Sequence, residues 1–207
     1  MFKKPVFWII FFILVAVSTV FCLKNFARIM SIINLDISMD RHEALQSALS
    51  DSDVWSIGPF DSRQAVIFNE DTFLQYYIEL EADGKEGYNN FLAEGKYQPY
   101  QWIVRHFLPQ QEHQAYFYYT PAGELYGFNE IIPETEPGNN ISVELAQSKG
   151  EAAAQKLGID LSEYKLIETK KNEVISGRQD YVFVYERPEL NELPRGKPRG
   201  IIRKVCE

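Results

Sequence analysis

"NLDISMDRHEALQSALS", residues 34–50, brings Asp36, Asp40, His42 and Glu43 close together. Either the cluster is a metal or acid/base site, or it is the start of a helix. A zinc-protease helix needs H-E-x-x-H, which sets two imidazoles on one helical face. Here the residue four after His42 is Gln46, so the second ligand is missing. Asp40 and Glu43 instead have the D-x-x-E spacing of a capping box, and Ser38 is a second candidate cap. Asp36 and Asp40 also complement the positive end of a helix dipole. Ala44, Leu45, Ala48 and Leu49 recur at helical spacing. The stretch therefore predicts a helix beginning near Ser38, and His42 and Glu43 become parts of its first turn.

Upstream, "PVFWIIFFILVAVSTVFCL" runs uncharged from Pro5 to Leu23, between Lys4 and Lys24. As a helix it rises ~28 Å, close to the ~30 Å hydrocarbon core of a bilayer. It is apolar all round, so it is not an amphipathic surface helix. Small residues at Ala16 and Ser18 would cut a signal peptide's apolar core short, and Phe21 is too bulky to precede a lipid-modified Cys22. The run predicts an uncleaved, single-pass anchor in contact with lipid over residues 5–23. Lys3 and Lys4 place its N-terminus in the cytoplasm, although Lys24 and Arg28 flank the other end. The rest of the chain is then extracytoplasmic, in the cell envelope.

Downstream, the period changes. "QAVIF" and "TFLQYYIELE" alternate as strands do, "ADGKEGYNN" has turn chemistry, and "YQWIVRHFLP" is a further strand stopped by Pro109. "HQAYFYYTPAGELYGFNEIIPE" predicts a hairpin about Thr120–Gly123. "TEPGNN", residues 135–140, is a loop. A second cycle follows: Ser142 caps "VELAQSKGEAAAQKLGI", Gly150 interrupts it, and Gly158 stops it. "YKLIETKKNEV" and "RQDYVFVYERP" are strands around a Ser-Gly turn at residues 176–177. The fold class is α+β: an N-terminal transmembrane helix, then two units of a capped helix on an antiparallel sheet. The expected boundaries are an anchor and juxtamembrane segment at 1–34, a first unit at 35–134, a second at 135–187, and a loose, basic Pro/Gly tail at 188–207.

The 207 residues carry a net charge of −8, although residues 1–34 hold Lys3, Lys4, Lys24 and Arg28 and no acidic residue. An acidic body excludes nucleic-acid backbones as partners and stands off anionic lipid. The two cysteines, Cys22 and Cys206, have no disulfide or metal-ligand spacing.

Other candidate groups have plain structural explanations. His106 and His113 are separated by Pro109 and by an odd strand spacing, which puts them on opposite faces. Glu79 and Glu81 share one face of the expected strand, where a solvated edge accounts for them better than acid/base work. Tyr116–Tyr119 suit cross-strand packing more than a binding platform. Asn140-Ile141-Ser142 is a glycosylation sequon overlapping the Ser142 cap. No G-x-S-x-G and no phosphate-binding loop occurs.

The anchor, "NLDISMDRHEAL", "YYIELEADG", "PYQWIVRHFLP", "GELYGFNEIIPE" and "SGRQDYVFVYERP", in this order, resemble the N-terminal extracytoplasmic region of large bacterial CPBP (CAAX protease and bacteriocin-processing) intramembrane metalloproteases. The resemblance covers about residues 5–187. It implies PepSY-like or cystatin-like units ahead of a multi-span catalytic domain. That family's E-E-x-x-x-R motif is absent, as is a second apolar span, so no catalytic, cofactor or metal residue carries over. The expectation is a non-enzymatic module beside a membrane protease or peptide partner, or a member cut short or split from its catalytic part. Two alternatives are a small-ligand or peptide sensor of the envelope, with an aromatic pocket near Tyr116–Tyr119, and an envelope hydrolase whose Glu79, Glu81 or His106 would have to converge.

Overall fold

A computed structural model describes residues 4–29, 35, 37–81, 84–93, 98–186 and 202–205. Helix α1 spans Pro5–Ile29. Its Pro5–Asn25 window has a mean hydropathy of 2.8 and is 0% buried against the rest of the chain, which is compatible with a transmembrane or signal anchor. The polar groups of Thr19 and Asn25 are satisfied by the carbonyls of Val15 and Phe21, one turn back. Most of the juxtamembrane segment, residues 30–34 and 36, lies outside the described residues.

Helix α2, Arg41–Trp55, begins as the capping box predicts. The Asp40 carboxylate accepts from the His42 and Glu43 amides, at 2.6 and 2.9 Å, and the Glu43 carboxylate accepts from the Asp40 amide at 2.8 Å. Ala44 and Ala48 turn inward with no side-chain exposure, and their small size lets the helix lie close on a sheet. That sheet has strands β1 (Arg63–Glu70), β2 (Tyr100–Phe107), β3 (Gln114–Tyr119) and β4 (Leu125–Ile131), all antiparallel, in the order β1-β2-β3-β4. The pleat sorts its side chains. Val104, Ala115, Phe117 and Tyr119 face α2 with Met39 to form the core. Tyr116 and Tyr118 point to the opposite face, where Arg105 lies over the rings of Phe107 and Tyr116. The β3–β4 hairpin turns at Thr120–Gly123 as expected, with Gly123 at φ +94.

Two segments differ from the sequence reading. "TFLQYYIELE" is not a strand but helix α3, Thr72–Glu81, and the "GKEGYNN" part of the expected turn "ADGKEGYNN" instead begins helix α4, Gly84–Ala93. The apolar positions of residues 73–80 fit both periods. Packing decides between them: β1 pairs directly with β2, and the chain between leaves the sheet. A helical hairpin forms there instead, burying Ile78 and Tyr88 completely, with Gly84 at φ +68 making the turn. Glu79 and Glu81 are consequently about 200° apart around a helix rather than on one strand face.

The second unit has helix α5 (Val143–Lys156), a short 3-10 turn at Leu161–Glu163, and strands β5 (Lys165–Glu173) and β6 (Gln179–Glu186). Ser142 caps α5 through the Leu145 amide, and Gly158 follows its end at φ +75. Ala146 packs on Tyr181 and Phe183. Part of the tail departs from the loose segment expected: Ile202–Val205 form strand β7, antiparallel to β6. The β-branched Ile202 and Val205 suit an edge strand despite the Pro and Gly before them. Residues 187–201 lie outside the described residues.

The two sheets are tied together at the connecting loop. Arg178 and Asp180, each 4% exposed, form an ion pair at 3.0 Å. The Arg178 guanidinium also donates to the carbonyls of Pro133 at 3.1 Å and Glu136 at 3.0 Å. Ser176 bonds the carbonyls of Glu134 and Glu136. Asn140 exchanges bonds with Gly177 and Gln179. A Cβ at Gly138 would meet Arg178 side-chain carbons at 2.6 Å, so the loop closes over the arginine only with glycine there.

Arg178→Ala leaves the Asp180 carboxylate buried without its partner and takes one donor each from the carbonyls of Pro133 and Glu136, which keep only the Glu136 amide and the Ser176 hydroxyl. Loss of one member of a buried pair costs about 3–5 kcal/mol, and chemical denaturation of the variant is expected to show a loss of that order. A second prediction concerns acid. The Glu43 amide first, then that of His42, holds the Asp40 carboxyl below its ordinary 3.8. The folded value being the lower one, the contribution is complete above 3.8 and disappears as pH falls through the folded value. Asp40→Asn retains a cap but no titration, so denaturation midpoints measured down to about pH 2 should fall less steeply in the variant.

Candidate functional site

β4 is the last strand of the first sheet, and the second unit faces it. The space between is a cleft of about 550 Å³. One wall is β4 itself: Tyr126, Gly127, Phe128, Asn129 and Glu130 all line it. An edge strand bonds its neighbour on one side only, so alternate N–H and C=O groups point toward the cleft. The opposite wall is α5, which contributes Gln147, Gly150, Glu151 and Ala154, while Tyr118, Tyr164, Phe183 and Tyr185 supply aromatic surface. The far end is pinned by stacking: Trp55 lies against Phe128 at 4.8 Å, and the Lys156 ammonium sits 4.0 Å from the Trp55 ring centre.

Two carboxylates and, among the described residues, no basic side chain line the cleft. Glu130 accepts from the Gly58 amide at 2.6 Å and lies 2.8 Å from His113 Nε2. Glu151 accepts from Gln147 at 2.8 Å and from the Tyr185 hydroxyl at 2.7 Å. These bonds, that of Gln147 first, hold the Glu151 carboxyl below its usual range. Burial first, and then Glu151, pushes the Tyr185 phenol up to about 12. Burial also raises the Tyr118 phenol. The surface is hydrogen-bonding, aromatic and negative.

The groups singled out in the sequence are dispersed. His42 and Glu43 serve the α2 cap. His106 is 1% exposed in the core. Its Nε2 lies 2.8 Å from the Gln64 amide nitrogen, which also donates to the Leu45 carbonyl at 3.0 Å. Burial lowers its pKa, so it stays neutral at pH 7. His113 precedes β3 and pairs with Glu130. Glu79 accepts from Gln75 on the surface of α3, and the side chain of Glu81 lies outside the described ones. Glu79 and His106 belong to opposite ends of the sheet and line neither this cleft nor a smaller one beside Asn69–Phe73. Of the tyrosine cluster, Phe117 and Tyr119 are core, Tyr119 donating to Asp51 at 2.7 Å, while Tyr118 reaches the cleft. The sequon residue Asn140 is engaged by the loop latch.

Sequence reasoning passed over the cleft. Its signals are two glycines inside regular elements, Gly127 in an aromatic strand and Gly150 in α5, which mark close backbone approach or an open wall. No side-chain atom comes within 4 Å of a Cβ position at Gly127.

No family model matches the chain, and no curated protein or solved structure matches it.

Tyr185→Phe removes a donor to ionised Glu151 and makes ionisation less favourable. The Glu151 pKa, followed by carboxyl carbon NMR, is expected to rise toward its ordinary 4.5. The alkaline absorbance titration should lose a phenol that ionises at about 12.

Proposed function

We propose that the chain is a membrane-anchored, extracytoplasmic, non-catalytic module that binds an extended peptide along β4. It would regulate, or present substrates to, an intramembrane protease of the CPBP type. The observation that carries this reading is the place of β4 as the last strand of its sheet among the described residues, running along an aromatic cleft. A peptide entering there adds a strand: backbone bonds supply affinity and alternate side chains meet the cleft walls. Glu130 and Glu151 favour lysine or arginine among those side chains. The motif resemblance supplies the protease and the PepSY-like description of the units. The lysines ahead of α1 supply the orientation. Binding on these terms needs neither a metal nor an acid/base pair.

A small-ligand sensor is the second reading, favoured by the cleft volume of about 550 Å³, which falls in the range of small-molecule sites. Amide NMR of the full chain in lipid nanodiscs separates the two. Titration with unstructured lysine-containing peptides, with chelator present, is expected to shift the amides of residues 125–131. No shift there up to millimolar peptide would overturn the peptide reading.

A further inference from the structure

Helix α3 exposes large apolar side chains on the face opposite its buried Ile78. Phe73 and Leu80 are each 83% exposed and Tyr76 is 63% exposed. Positions 73, 76 and 80 fall within about 60° of one another around a helix. Single exposed apolar residues are ordinary on a protein surface, but an aligned aromatic and aliphatic stripe marks a docking face. Where α3 sits in the molecule identifies what covers it.

The chain arrives from α1 at Ile37–Met39. The Ser38 and Met39 amides donate to the Pro121 carbonyl, and Trp102 donates to the Met39 carbonyl at 3.1 Å. This fixes the arrival point at the end of the sheet where β2 begins. Helix α3 leaves from that same end: Glu70 pairs with Tyr100, and the Asp71 amide donates to the Pro99 carbonyl at 2.8 Å. Tyr100 and Trp102 are ~7 Å apart along a strand. Ile29, the last residue of α1, is eight residues before Ile37, so the chain between them spans at most ~28 Å. Ile37 is itself 44% exposed. Taking α1 to lie in the bilayer, the α3 stripe is held at the end of the domain tethered to the membrane surface.

We propose that α3 docks at the lipid–water interface, with Phe73, Tyr76 and Leu80 seated among the headgroups, so that the domain is held against the bilayer rather than swinging on its tether. Aromatic side chains prefer this zone because they pair an apolar ring with, in tyrosine, a polar tip. Charge selects the lipid. Helix α3 carries Glu79 and Glu81 and no basic residue, so the surface it tolerates is zwitterionic. The acidic body stands off anionic headgroups, as its charge implies, while this one helix makes contact with neutral ones.

The test uses the full chain in phosphatidylcholine nanodiscs, with Cys22 and Cys206 replaced by serine and one spin label at a time. Labels go at Thr72→Cys, Tyr76→Cys and Phe60→Cys. Phe60 is 96% exposed but lies beyond the start of β1, at the far end of the sheet. Oxygen and nickel-chelate accessibilities should place the label at 76 about 5–10 Å into the headgroup–acyl boundary, as for an interfacial helix, and the label at 60 in water. Phe73→Ser with Leu80→Ser alters only exposed side chains and should return the label at 72 to water with the circular dichroism unchanged. A label at 76 as accessible to the nickel chelate as that at 60 would overturn the proposal. So would a label at 76 shielded from both reagents, which would mark a protein partner or a second copy on this face. A label at Val15→Cys reads the anchor separately: water access there removes the tether, whatever α3 does. Peptide binding at β4 has its own readout and is untouched by these outcomes.

Discussion

The buried guanidinium of Arg178 is the contact on which the arrangement of the two sheets depends. It is tied to Asp180 on β6, the strand that Arg178 precedes, and to the carbonyls of Pro133 and Glu136 in the connecting loop. A planar group with five donors can meet a carboxylate and several carbonyls at once, which an ammonium group cannot do with the same fixed geometry. Burying that charge is costly by itself, and the full set of partners is what makes it tolerable. Because the partners belong to both units, satisfying the charge also fixes how the loop lies on the second sheet. Ser176 and Asn140 extend the latch on either side.

The cleft is a consequence of that latch and of the stacking at the other end. Trp55, Phe128 and Lys156 bring the C-terminal ends of α2 and α5 together. Held at both places, the second unit faces the β4 edge without adding a strand to it. An uncovered strand edge is ordinarily an aggregation hazard. Here α5 stands across it, and small residues, Gly150 and Ala154, keep a space between. Glu151, Tyr185 and Gln147 hydrogen-bond one another within that space, so the polar wall is ordered before any guest arrives and less ordering cost falls on binding.

The proposed membrane contact and the cleft use different parts of the chain. The anchor enters the domain at the end of the sheet where α3 leaves, whereas the cleft runs along β4, across the sheet from β1. A domain resting on α3 would keep β4 to one side, open to a peptide in the aqueous phase. In that arrangement the single apolar helix and the acidic body are reconciled by one helix that meets uncharged headgroups.

Local chemistry made several elements legible from the sequence. The uncharged run Pro5–Leu23, the Asp40–Glu43 box, the Thr120–Gly123 turn and the Ser142 cap each act within a few residues, and each forms as those residues dictate. The helices within residues 72–93 were not legible, because the apolar spacing of 73–80 satisfies two periods and the choice is made by packing that buries Ile78 and Tyr88. Nor was β7, whose pairing with β6 is made across a long stretch of chain. The cleft was hidden for the same reason: Gly127 and Gly150 look like local weaknesses until the tertiary structure places both in the lining of one cleft. The sequence by itself determined the apolar N-terminal helix, the caps, the turns and most strands, since those depend on neighbours along the chain. Which faces meet, which edge stays open and where the buried charge finds its partners were decided only by the folded structure, because those interactions join residues remote in the sequence.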